Sequence, residues 1–319
     1  MKRIVFIFVS ILLLASCAKK PATVSRPAFS ADSAYAYCEA QMAFGPRVPN
    51  SSAHTYCAAW LVQMLRAAGA DVTLQKGVLP DYSGREQQIL NIIGHFGGYD
   101  RPAVLLCAHY DTRPWCDEED DYADRYYNVP GANDGASGVA VLLEIARQLG
   151  IRMADSTLTT RPVEIIFFDC EDMGTPAFYT GPQRDDTWCL GSQIWATQQL
   201  QAPRQYEFGI LLDMVGAPDA VFPREYYSDQ FAGNYTEQVW RAANTLGHGR
   251  YFSSEFSYPI TDDHLYVNRA GVPCLDIIHY DARSASGFPA WWHTRNDDMS
   301  NISRSTLQAV GETVLTVIL

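Results

Sequence analysis

Residues 104–111 read VLLCAHYD and residues 163–172 read VEIIFFDCED. Each is a short apolar run that breaks into acids, and the first also carries a histidine. Between them Val139, Leu142, Leu143, Ala146 and Leu149 recur at helical spacing, with Gly150 predicted as the stop. A helix between two such runs is a crossover, so residues 104–107 and 163–168 are expected to be parallel strands of one sheet. Residues 209–212 and 274–278 read as further strands. Two helices frame the pattern: one after Ser51-Ser52, with Tyr56, Trp60 and Met64 facing inward and Gly69 closing it, and one after Ser303 carrying Leu307, Val310, Val314 and Val317. Apolar runs alternating with amphipathic stretches define an α/β layered domain.

The chain has 319 residues, 24 Lys and Arg against 36 Asp and Glu, a net charge of −12, and 47% hydrophobic residues. That composition excludes a disordered chain, and the length excludes a disulfide-held miniprotein. Without a basic run, the negative balance also argues against a nucleic-acid partner. Residues 1–17 read as a lipoprotein-type signal: Met1-Lys2-Arg3, an apolar stretch, then Leu14-Ala15-Ser16-Cys17. Cys17 is then the acylated residue and the only attachment to a membrane, residues 18–30 are a polar tether, and residues 31–319 form a single domain. The expected location is the cell envelope, facing the periplasm, and the expected state is a monomer. The seven other cysteines show no C-x-x-C spacing, and Cys107 and Cys274, set in apolar runs, read as buried thiols. The acidic run 117–121, with Asp124, reads as a solvated loop, not a calcium site.

Acids and histidines fall just past the strands. His109 and Asp111 follow the first, Glu171 and Asp172 the second, and Asp213 the third, while Asp134 opens the crossover helix and His293 lies in Trp291-Trp292-His293-Thr294. Loops leaving the carboxyl ends of parallel strands converge on one crevice, so these groups can meet and bind a hard or borderline cation. Blander readings cover the rest. His54, His95, His248 and His279 have no partner motif, Trp60 and Trp240 sit on helical core patterns, and Glu164 and Asp276 within strands are edge-facing or paired. Trp188 and Trp195 are candidates for a pocket edge. Gly135-Ala136-Ser137-Gly138 lacks the second glycine of a serine-nucleophile elbow, because Val139 stands there.

Six motifs together resemble the zinc-dependent aminopeptidase clan and, within it, the glutaminyl cyclases. They are Ala108-His109-Tyr110-Asp111, the Gly131–Gly138 loop, Phe168-Asp169-Cys170-Glu171-Asp172, Leu212-Asp213-Met214-Val215-Gly216-Ala217-Pro218, Asp262-Asp263-His264 and Trp292-His293-Thr294. The resemblance implies a three-layer sandwich in which helices flank a mixed, mostly parallel twisted sheet. Two-zinc peptidases of the clan imply ligands at His109, Asp134, Asp172, Asp213 and His293. The cyclase branch implies a single zinc on Asp134, Asp172 and His293, with Glu171 as general base and acid. It also implies Asp213 and Asp262 sharing a proton beside the leaving amide, Trp292 and Trp188 against the substrate, and His109 and Asp111 in supporting positions. Trp292, Asp262 and the Gly216-Ala217-Pro218 tail favour that branch, whose partners are peptides and proteins beginning with glutamine. Asp172 stands where animal cyclases have Glu, and their paired cysteines have no match here. Two alternatives stay open: a two-zinc aminopeptidase, and a non-catalytic lipoprotein that binds peptide termini.

Overall fold

The structure, a computed structural model, describes residues 28–155 and 161–319. The signal stretch, Cys17 and residues 18–27 of the tether lie outside the described residues. In chain order the elements are α1 (Ala31–Met42), α2 (Ser52–Ala67), β1 (Asp71–Pro80), β2 (Glu86–Phe96), β3 (Ala103–His109), α3 (Ala136–Ala154), β4 (Val163–Phe168), α4 (Leu190–Gln201), β5 (Tyr206–Asp213), β6 (Phe222–Arg224), α5 (Tyr226–Leu246), β7 (Phe252–Phe256), α6 (Asp263–Arg269), β8 (Cys274–Ile278) and α7 (Arg304–Ile318). Six strands form one sheet in the order β1-β2-β4-β3-β5-β8. The four strands expected from their apolar runs are the parallel ones: β4 and β5 flank β3, and β8 extends the sheet beyond β5. The antiparallel pair β1–β2 completes the other edge; β1 exposes half of its residues, and polar Glu86, Gln87, Gln88 and Asn91 interrupt β2, so neither gave a comparable run.

Burial on both faces explains why the parallel strands read as unbroken apolar stretches. Val104, Leu106, Ala108, Ile165, Phe167, Ile210 and Leu212 face a core shared with α1, α2, α3, α5 and α7. Leu105, Cys107, Ile166, Phe168, Leu211 and Cys274 face the opposite layer, where α4 and α6 contribute Trp195, Tyr266 and Val267. Helices therefore cover both sides of a mixed sheet, the three-layer arrangement that the resemblance implied.

Three details depart from the sequence reading. First, α3 runs through Gly150 to Ala154. Gly150 serves a close approach instead, since a Cβ there would lie 2.2 Å from the Ala68 carbonyl oxygen. Second, α2 buries His54, Cys57, Ala58, Leu61 and Leu65, whereas Tyr56 is 65% exposed and Trp60 and Met64 are half-buried. The apolar stripe therefore sits one residue away from the one expected. Third, Phe29 packs into the core and Ser30 caps α1, its side chain accepting from the Ser33 N–H, so ordered packing begins before residue 31. Glu164, expected to be edge-facing or paired, lies in the central strand β4 and is paired with Arg204 and Tyr206. All seven cysteines from Cys38 to Cys274 are buried free thiols.

Candidate active site and metal centre

Parallel strands end at one edge of the sheet, and the chain turns sharply there. Cys170 after β4, Met214 after β5 and His293 all hold left-handed backbone at φ 54°, 48° and 53°. Conformations of this kind, unfavourable without a glycine, cluster where side chains must be aimed at a shared point. Asp111, just past β3, accepts the N–H groups of Glu171 and Asp172 at 3.1 and 3.2 Å, fixing that dipeptide. On the other side Asp297 accepts the N–H groups of Asn133 and Asp134 at 2.8 and 3.0 Å. Asn133 Oδ1 in turn accepts the Gly216 N–H at 2.6 Å, which ties the loop after β5 to the start of α3.

These contacts bring the expected residues together. His293 Nε2 lies 3.2 Å from Asp172 Oδ1 and 3.6 Å from Asp134 Oδ2. One donor atom from each of the three falls within 4.8 Å of the others, and all three residues are buried. Asp172 Oδ2 is buried with no hydrogen-bond partner, as an oxygen awaiting a cation would be. Behind His293, Asp117 Oδ1 stands 3.6 Å from Nδ1. Behind Asp172, Arg113 Nη1 donates to its backbone oxygen at 3.1 Å and to Oδ1 at 3.3 Å. Arg113 also forks onto Asp117, its Nε and Nη2 each donating at 2.6 Å. Burial raises the Asp172 carboxyl, but His293 and then Arg113 outweigh it and hold the group well below the usual range. Two carboxylates and an imidazole backed by a carboxylate suit Zn²⁺ with a coordination position left open.

A second set shares Asp134. His109 Nε2 lies 3.0 Å from Asp134 Oδ1 and 3.3 Å from Asp213 Oδ1, and Nδ1 lies 3.5 Å from Asp111. Burial alone would keep this imidazole neutral; its bonds to Asp111, Asp134 and Asp213 prevail and raise its pKa well above the ordinary value.

Beside the first set opens a cavity of about 480 Å³, reached by Asp134, Glu171, Asp172, Asp213, Asp262 and His293 and walled by Trp188, Trp292, Ile260, Ile278 and Phe288. Trp292 stacks on His293 with ring centroids 3.6 Å apart, and Trp188 lies parallel to the same ring at 6.2 Å. Burial first, then the charge of Asp262, pushes the Glu171 carboxyl well above its usual range. Burial likewise lifts Asp213 to about 7. Asp213 lies within 3.3 Å of His109 Nε2, and the charge of Asp262 adds to the rise of its carboxyl; Asp262 itself accepts the Asp263 N–H at 2.5 Å and leaves Oδ2 without a hydrogen-bond partner.

Sequence reasoning missed three contributors. Asp117, taken as part of a solvated run, is only 3% exposed, while Glu118, Asp120 and Asp121 are indeed exposed. Arg113 and Asp297 passed unnoticed because neither follows a strand or belongs to a motif. The one available signal was an arginine four residues before an aspartate, a spacing that means little until the loop's fold is known. Trp195 is core, packed on Phe168, not pocket edge. The remaining histidines are paired or buried: His54 with Asp169 at 2.7 Å, His95 with Glu164, His248 with Glu312, and His279 held down to about 4 by burial.

An N- and O-donor metal set at the carboxyl edge of a mixed sheet, with an unligated buried carboxyl beside it, has the make-up of a zinc-enzyme centre. Residues 91–318 match Peptidase family M28, and the chain belongs to that family. It is similar to the crystal structure of Tannerella forsythia glutaminyl cyclase, with 50% identity, 92% of this chain and 99% of that chain covered, and a TM-score of 0.87. It is also similar to a Zn-dependent exopeptidase from Parabacteroides distasonis, with 46% identity, the same coverage of 92% and 99%, and a TM-score of 0.88. The glutaminyl-peptide cyclotransferase of Bothrops jararaca is 28% identical over 242 residues, which cover 68% of this chain and 61% of that protein. The chain thus spans about three fifths of that relative's length.

Proposed function

We propose that the chain is a glutaminyl cyclase: it converts an N-terminal glutamine of peptides and proteins to pyroglutamate and releases ammonia. The observation that carries this reading is the 480 Å³ cavity beside the metal set, lined by Trp188 and Trp292 together with Glu171 and Asp262. Indole walls suit the flat side-chain amide of a glutamine and its lactam product, and the cavity has room for that residue together with the start of the peptide behind it.

Asp134, Asp172 and His293 would hold one zinc ion. When bound there, it supplies Lewis acidity toward the side-chain amide carbonyl. Trp188 and Trp292 hold the substrate in the bent conformer, so that amine and amide carbon of one residue meet without an activated water. Glu171 accepts a proton from the attacking α-amine. As the ring C–N bond forms and the amide C–N bond breaks, Glu171 returns that proton to the departing nitrogen, which leaves as ammonia. Burial and the charge of Asp262 raise the proton affinity of Glu171, which strengthens it as the acceptor of the amine proton. Asp213 and Asp262 face the leaving group from the other wall, and Asp213, lifted to about 7, can carry a proton there. His109 fills the place of a second cation by bonding Asp134 and Asp213. The signal pattern of residues 1–17 supports a lipoprotein of the cell envelope, tethered through Cys17, with the active site turned to the periplasm.

A soluble form lacking residues 1–17, given a Gln-Xaa-amide and a Leu-Xaa-amide, tests the reading by product mass. Loss of one ammonia from the glutamine peptide alone, abolished by Glu171→Gln, is the expected result. Release of free leucine or glutamine would replace it with an aminopeptidase.

A further inference from the structure

Cys189 immediately precedes α4, in left-handed backbone at φ 57°, and is fully buried. Its N–H donates to the Glu171 carbonyl at 2.8 Å, and the next residue's N–H donates to the Cys170 carbonyl at 3.0 Å, so the two segments are locked in register. That register sets the thiol against the acid: Sγ donates to Glu171 Oε1 at 3.2 Å. On the far side stands Asp262, 3% exposed, whose Oδ2 has no hydrogen-bond partner. One donor atom each from Glu171, Cys189 and Asp262 lies within 4.8 Å of the other two.

We infer that Glu171, Cys189 and Asp262 form a second, inhibitory cation site that takes a thiophilic divalent ion, Zn²⁺ in excess or Cd²⁺, from the substrate cavity. One sulfur with two carboxylates selects such ions over Mg²⁺ or Ca²⁺, which prefer an all-oxygen shell. Glu171 and Asp262 both line the cavity and give the ion its entry. The neighbouring set of Asp262, His264 and Asp276 is a poorer host: neither His264 nor Asp276 reaches the cavity, and His264 is already held by Glu225 at 3.0 Å. Binding exchanges the thiol S–H for an S–metal bond and releases one proton to solvent, with no change of oxidation state. The inhibition rests on the proposed role of Glu171, because a carboxylate engaged by a cation cannot move the amine proton. The binding itself does not depend on that role.

Zinc-loaded protein dialysed free of excess metal is titrated with Cd²⁺ while the ultraviolet thiolate-to-cadmium absorption and the turnover of a glutamine peptide are followed together. One equivalent is expected to bring the absorption to saturation as cyclisation is lost, with recovery on dialysis. Cys189→Ser keeps a donor for Glu171 and removes the sulfur. It is expected to abolish the absorption and to raise the inhibitory Cd²⁺ concentration roughly tenfold or more. Absorption that persists in this variant, or inhibition without any thiolate signal in the parent, would overturn the assignment. Cadmium-edge X-ray absorption on the parent protein decides the matter without a variant: one sulfur neighbour among oxygens supports the site, and a shell of nitrogen and oxygen alone refutes it. A thiolate signal in a protein that makes no pyroglutamate would sink the cyclase reading and leave this one standing.

Discussion

Asp134 faces two histidines. Toward His293 it lies 3.6 Å away, in a group where Asp172 Oδ2 has no hydrogen-bond partner and the imidazole is backed by Asp117 on its far side. Toward His109 it lies 3.0 Å away, in a group where the imidazole also reaches Asp213 and Asp111. The first set lines the cavity; His109 does not. Residue types are nearly the same in both, so types alone allow two metals. Each set keeps one buried atom without a hydrogen-bond partner, Asp172 Oδ2 in the first and His109 Nδ1 in the second, so what separates them is access to the cavity. On the proposed reading the first holds the zinc and the His109 imidazole takes the place of a second cation. A clan whose members include peptidases and cyclases can change its chemistry through such a difference without changing its fold.

Four substitutions bear on that contrast, in descending order of effect. His293→Ala should remove the metal and reduce kcat/KM by about 10³-fold or more, as loss of Lewis-acid stabilisation implies; zinc content and turnover measured on one preparation check it. His109→Asn should leave one zinc bound yet cost about 3–5 kcal/mol of stability, the penalty for stranding buried charges; denaturant unfolding alongside metal analysis reads both. A drop in zinc content with stability unchanged would reverse the roles given to the two histidines.

The His264–Glu225 pair, which lies outside both sets, calibrates what a histidine–carboxylate bond contributes without a metal. Burial works to raise the Glu225 carboxyl, but His264 prevails and holds it at about 2, against 4.5 ordinarily. A depressed carboxyl stabilises the fold above its unfolded pKa and ceases to do so as pH falls through the folded value. Wild type should therefore exceed Glu225→Gln by on the order of 3 kcal/mol at neutral pH, with the gap closing between about pH 4.5 and 2. Unfolding midpoints across that window test the sign as well as the size. Arg113→Met should weaken zinc binding by about 10–100-fold, because Asp172 and Asp117 would lose their shared donor. Competition with a chromophoric chelator measures it.

The legible parts of this molecule were those where one local rule decided the outcome. Residues 163–168 bury both faces, so their apolar run announced a parallel strand, and its end announced Glu171 and Asp172. The β1–β2 edge pair was hidden because strands such as 71–80 expose half their residues and are defined by pairing, not composition. On α2, aromatic spacing at Tyr56 and Trp60 pointed to one stripe, but small Cys57 and Ala58 with Leu61 and Leu65 pack closer and won the buried face. Asp117 was misread for a related reason. Five acids in a row look solvated, and only the fold of the loop reveals that one of them is clamped by Arg113 beneath His293.

Native mass spectrometry of zinc-loaded protein, dialysed free of excess metal, tests the central claim most directly: one resident zinc, held at Asp134, Asp172 and His293. The account predicts one zinc per chain, retained in His109→Asn and absent from His293→Ala. Two zinc ions per chain, with one lost in each variant, would contradict it and make His109 a ligand of a two-metal peptidase.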